Sequence, residues 1–131
     1  MRYLVDTDWV VEYLKGIDRA TQTLAKLAPQ GLAISIITFG EIYEGIYYGR
    51  DPEAHEHGFR QFIRSVRVLP VNRSIMRRFA RIRGQLRRQG RLISDPDILI
   101  GATALHHKLT LLTHNLKHFE RIPELDIYQT A

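Results

Sequence analysis

The hydrophobic positions of this chain recur with two alternating periods. Tyr3-Leu4-Val5 is a continuous apolar run of strand length. It gives way at Asp6-Thr7-Asp8 to Val10, Val11 and Leu14, which have helical spacing and stop at Gly16. Asp18 to Leu27 predicts a second helix. Leu32 to Ile37 has the aliphatic, β-branched character of an interior strand, and Thr38 opens a helix through Ile42 and Ile46 towards Gly49. Another helix opens at Asp51-Pro52, and Val66 to Val71 predicts a strand. Ile75, Phe79, Ile82 and Leu86 then mark a helix from Ser74 to Gln89, which Gly90 ends. The remaining elements are a helix from Pro96 to about His107, a strand from Leu109 to Thr113 and a short strand near Ile127. Strands alternating with helices imply an α/β protein with a mostly parallel sheet covered on both faces.

This alternation places four polar side chains at one edge. In open parallel sheets, ligands bind at the carboxyl ends of the strands, where the loops into the following helices gather. Asp6 follows the first strand, Glu41 sits on the first turn of the helix after the second, and Asn115 follows the strand that ends at Thr113. Asp97 opens the helix that precedes that strand, so its N-terminus faces the same edge. Each residue also has a local explanation. Asp95 has the side-chain acceptor of an N-cap with Pro96 behind it, and Asp97 lies in the first turn, where the helix dipole favours an anion. Thr38-Phe39-Gly40-Glu41 has the form of a capping box, and Asp6 or Asp8 could cap the first helix. Convergence of all four on one cleft is not required by capping.

Composition narrows the chemistry. At 131 residues, 44% hydrophobic and 25% charged, residues 1–131 are expected to form a single domain with its own core. No apolar run approaches the length of a membrane span, and Asp6 stands where a signal peptide needs apolar residues; a cytoplasmic protein is expected. The chain has no cysteine, which leaves oxygen and imidazole ligands and favours a hard metal over a soft one. Carboxylates brought together repel unless protons or a cation compensate. Mg²⁺ suits such a site, with Mn²⁺ as the other candidate, because it takes few protein carboxylates and keeps waters that substrate phosphate can replace. Hydrolysis of a phosphodiester is the reaction class that fits.

The net charge of +5 is unevenly spread. Ten arginines, no lysine and no acid lie between Arg64 and Arg91, while the rest of the chain holds nine bases against fourteen acids. On the Ser74–Gln89 helix, Arg77, Arg81 and Arg88 project opposite the apolar stripe. Such a surface suits a phosphate backbone, although a charged helix face is also an ordinary solvated one.

Four segments carry a family resemblance: LVDTD from Leu4 to Asp8, SIITFGEI from Ser35 to Ile42, DPDILIGATAL from Asp95 to Leu105, and LLTHNLKHFERIPEL from Leu111 to Leu125. Together and in this order they resemble the PIN domain, specifically the VapC-type toxins of bacterial toxin–antitoxin pairs. The resemblance implies a three-layer α/β/α fold and a metal-dependent endoribonuclease. It also implies a homodimer inhibited by a small cognate antitoxin protein. It matches Asp6, Glu41 and Asp97 to the family's three metal-holding acids and leaves Asp95 as the cap. Many relatives carry a fourth aspartate where this chain has Asn115, which would bind through a carbonyl oxygen or a metal-bound water. Asp8 stands where an asparagine is common and adds an acid. Thr7, Thr38 and Thr113 are the hydroxyls expected to orient the carboxylates, each with a local turn or cap as the competing role.

Other features suggest structural roles. His114 and His118 lack a third zinc ligand and read as surface residues, His106-His107 suit a helix C-terminus, and Trp9 reads as core or interface. Tyr43, Tyr47 and Tyr48 suggest a helix with one aromatic edge left for a partner. No phosphate-binding glycine loop or serine nucleophile elbow is present. The leading expectation is a Mg²⁺-dependent ribonuclease. The alternative is a non-catalytic PIN-fold module that binds nucleic acid or protein.

Overall fold

The structure, a computed structural model, describes residues 1–130. Four short strands, β1 (Tyr3–Val5), β2 (Leu32–Ser35), β3 (Arg67–Leu69) and β4 (Thr110–Leu112), form one parallel sheet in the order β3-β2-β1-β4. Tyr3 pairs with Leu32 on one side and Thr110 on the other, and Ser35 pairs with Leu69. The chain steps outward from β1 through β2 to β3 and then returns to the far side of β1. That reversal makes the carboxyl ends of β1 and β4 a topological switch point, the place where open α/β sheets hold their ligands.

Helices cover both faces. Leu4, Ala33 and Leu111 point to the side packed by α5 (Arg73–Arg88), α6 (Asp95–His107) and α7 (Leu116–Phe119). Tyr3, Val5, Leu32, Ile34 and Leu112 point to the side packed by α1 (Thr7–Leu14), α2 (Asp18–Leu27), α3 (Ile36–Tyr47) and α4 (Pro52–Ile63). Strands buried on both faces need no polar alternation, which is why they read as continuous apolar runs. Ile75, Ile82 and Leu86 seat α5 in the core and leave its arginines outward. Among the described residues no helix is long and apolar enough to cross a membrane.

Several boundaries differ from the sequence expectation. β2 ends at Ser35 rather than Ile37, because the Ser35 hydroxyl accepts from the Ile37 N–H at 3.0 Å and starts α3 there. Thr38 is therefore a buried residue inside the helix, the capping box does not form, and Glu41 falls in the second turn rather than the first. Likewise Ser94, not Asp95, caps α6, accepting from the Asp97 N–H at 3.4 Å. Asp95 instead pairs with Arg83 of α5 at 2.8 Å. The strand expected over Val66–Val71 narrows to β3, and the one near Ile127 is a single bridge to Leu111.

Candidate active site

Asp6 is the first residue past β1 and the N-cap of α1. Its Oδ1 accepts from the Thr7 N–H at 2.8 Å, so the capping role is real, and its Oδ2 accepts from the Thr113 hydroxyl at 2.7 Å. The carboxyl is buried, and burial first, then the negative charge of Asp8, with a smaller push from Asp97, raises its pKa from 3.8 to about 7. Asp8, two residues along, accepts from the Trp9 N–H at 2.7 Å and the His114 N–H at 2.9 Å; burial raises its pKa as well.

Glu41 reaches this edge from α3 through a hydroxyl. The Thr7 hydroxyl donates to Glu41 Oε1 at 2.6 Å and lies 3.1 Å from the Thr38 hydroxyl. Asp97 occupies the first turn of α6, with its side chain 18% exposed. Its Oδ2 faces Asn115 Nδ2 at 3.3 Å and His118 Nδ1 at 3.0 Å. The loop after β4 is tied down by Thr113, whose Oγ1 also accepts from the Asn115 N–H at 3.0 Å. His114 packs over the buried Trp9, with ring centroids 4.8 Å apart, and contacts Glu12 at 2.7 Å.

Asp6, Asp97, Glu41 and Asn115 thus share one edge, with Asp8, Thr7, Thr38 and Thr113 among them. His118 is at the surface as expected, its side chain 41% exposed, but it also stands against Asp97, a contact that nothing in the periodicity of a four-residue helix could have placed. Arg77, Arg81 and Arg88 are exposed on the outer face of α5, and among the described residues none of them bonds to a carboxylate. The α5 arginines meet the rim of the cleft through Arg83 and Asp95, two residues from Asp97.

The donor set fits a hard divalent cation. All the acids offer oxygen, and among the described residues Asp6, Asp8 and Glu41 have no ion-pair partner to offset their charge. Among the described residues no three His, Asp or Glu side chains are grouped so that all of them could hold one metal ion. Mg²⁺ does not need such a group, since it binds through one or two carboxylates and retains several waters.

The chain is thus a parallel α/β domain with a group of acids at the switch point of its sheet. The PIN domain family model matches residues 3–125, and the chain belongs to that family. Within it the chain sits among the VapC proteins. It is 33% identical over 126 residues to Ribonuclease VapC1 of Methanocaldococcus jannaschii, covering 96% of this chain and 85% of that protein. It is 29% identical over 127 residues to Ribonuclease VapC1 of Haemophilus influenzae strain R2866, covering 95% of each. In three dimensions it superposes on a chain of VapBC2 from Rickettsia felis, solved bound to a DNA fragment from their promoter. The TM-score there is 0.92 at 27% identity over 98% of both chains. VapBC-1 from nontypeable Haemophilus influenzae gives a TM-score of 0.85 at 29% identity.

Proposed function

We propose that this chain is a Mg²⁺-dependent endoribonuclease of the VapC toxin type, restrained by a cognate antitoxin protein. The observation that carries the reading is Asp6, a carboxyl at the switch point whose ionisation is opposed by burial first and then by Asp8 and Asp97, and which has no basic partner among the described residues. A divalent cation supplies the missing charge, and when bound it activates water and stabilises negative charge on a phosphoryl group. Asp6 and Asp97 would hold it directly and Glu41, tied to Thr7, through a retained water, with Asn115 adding a neutral oxygen.

The chain's own residues have the following roles. Thr113 and the Thr7 N–H fix the two oxygens of Asp6, and the Thr7 hydroxyl turns Glu41 towards the same edge. Hydrogen bonds of this kind keep carboxylates in the geometry a cation requires. The exposed Arg77, Arg81 and Arg88 bind RNA phosphates through long-range attraction. A groove lined by the apolar Val11, Leu14, Ile42 and Ile46, with Lys15, Arg50 and His55 also on its walls, runs between α1 and α3. The groove suits an antitoxin segment that also presents a cation to the acids. The functional unit is a homodimer in the cytoplasm.

The test is cleavage of a structured RNA by the purified chain, freed of antitoxin, with Mg²⁺ and with EDTA. Cleavage with Mg²⁺ and none with EDTA is expected. Metal-independent cleavage contradicts the metal's role, and binding without cleavage would favour a non-catalytic module.

A further inference from the structure

His118 stands outside the set of acids, yet it is the residue that presses closest on Asp97. Its Nδ1 lies 3.0 Å from Asp97 Oδ2, and the Asn115 amide nitrogen lies 2.8 Å from the same ring nitrogen. The turn that carries it is fixed on both sides. Phe119, the next residue, is fully buried in the core. Arg121 then reaches back to the carbonyls of Arg91 and Leu92, at 3.2 and 3.3 Å, in the segment that leads into α6. The short helix with His118 and the helix start with Asp97 are therefore stapled to each other. The ring is held against the carboxylate by the fold rather than resting there by chance.

A neutral imidazole has one N–H, and two arrangements are available to it. With the proton on Nδ1 it donates to Asp97; with the proton on Nε2 it accepts from the Asn115 amide and turns a lone pair towards the carboxylate. The first arrangement sets two donors 2.8 Å apart, both directed at Asp97 Oδ2, and the second sets two acceptors 3.0 Å apart; a hydrogen bond to a charged carboxylate is the stronger one, so the charge on Asp97 selects the first. We infer that His118 is a positioning residue that donates from Nδ1 to Asp97 Oδ2, holding that oxygen and leaving Oδ1, which has no hydrogen-bond partner among the described residues, for a cation. This inference rests on the proposed role of Asp97 as a metal-holding acid.

The test combines a spectroscopic and a kinetic measurement. In the metal-free protein, nitrogen-15 NMR of the His118 ring is expected to show the proton on Nδ1; a ring protonated only on Nε2 overturns the inference. His118→Ala is expected to weaken Mn²⁺ binding, measured without RNA, and to lower kcat by about 10–100-fold, the usual effect of losing such a partner, with KM for RNA near that of the parent. His118→Asn, which keeps an N–H near the position of Nδ1, is expected to recover most of both. Equal losses in His118→Ala and His118→Asn, or a change confined to KM, would contradict a positioning role. Asp97→Asn is measured alongside. If it leaves Mn²⁺ binding and cleavage intact, the reading of the site fails. If it removes them while His118→Ala does not, only the inference about His118 fails.

Discussion

Thr113 and Asp6, 107 residues apart in the chain, share a buried hydrogen bond of 2.7 Å. It joins the end of the last strand to the end of the first, across the boundary where the strand order reverses. Thr113→Val keeps the shape and removes the donor. A lost hydrogen bond to a charged group costs about 1.5–3 kcal/mol, so the variant is expected to unfold at lower urea concentration and to cleave RNA more slowly. Chemical denaturation at pH 8 checks the first point; an unchanged midpoint would show that the bond does not stabilise the ionised carboxyl.

The raised pKa of Asp6 makes stability depend on pH in a defined direction. Asp6 takes up a proton more readily when folded, with a pKa of about 7 against 3.8, so its contribution is fully present below 3.8 and is lost as pH rises to about 7. Other groups aside, the metal-free protein loses stability across that window, and Mg²⁺ restores it most above pH 7. Thermal melts at pH 5 and pH 8, with and without Mg²⁺, should show the larger metal-induced rise at pH 8. Asp6→Asn should raise Tm at pH 8 in the absence of metal while abolishing cleavage. A Tm that falls would mean that the buried charge is already compensated.

The arginine surface makes a separate prediction. Replacing Arg77, Arg81 and Arg88 with alanine should weaken RNA binding and flatten its salt dependence by roughly one unit of slope per lost phosphate contact. Mn²⁺ affinity should be unchanged, since none of these side chains bonds to the acids. An unaltered slope would assign them to a solvated face or to a contact between copies.

Much of this arrangement is legible in the sequence, because doubly buried strands and amphipathic helices leave distinct periods. The strand that ends before Asp6 and the helix that carries Asp97 in its first turn emerge directly from those periods. Helix starts are harder to read. Ile36-Ile37 continues the β-branched run of β2, so the sequence reads as strand where the Ser35 hydroxyl has already begun a helix. In SDPD, serine and aspartate are both good caps, and the ion pair with Arg83, twelve residues earlier, is a tertiary contact that draws Asp95 away. His118 escapes for a similar reason. One turn of helix has too few residues to show a period, and only folding brings it to Asp97, twenty-one residues away.

The ion pair between Arg83 and Asp95 is exposed and should be worth less than about 1 kcal/mol. Asp95→Asn is therefore expected to leave stability nearly unchanged. Ser94→Ala, which removes the cap, should cost about 1 kcal/mol. Equilibrium denaturation of the two variants distinguishes them; the reverse ranking would return the cap to Asp95.

In the proposed function, the carboxylates at the switch point cut RNA with a bound divalent ion. That reading is tested most directly by single-turnover cleavage of one structured RNA in Mg²⁺ by the parent protein, Asp97→Asn and Asp95→Asn. Asparagine is tolerated in the first turn of α6, so both variants should fold. Asp97→Asn is expected to lose most of the cleavage rate and Asp95→Asn to keep it. Retained cleavage in Asp97→Asn, or equal loss in both variants, would contradict the account and move the active site away from this edge of the sheet.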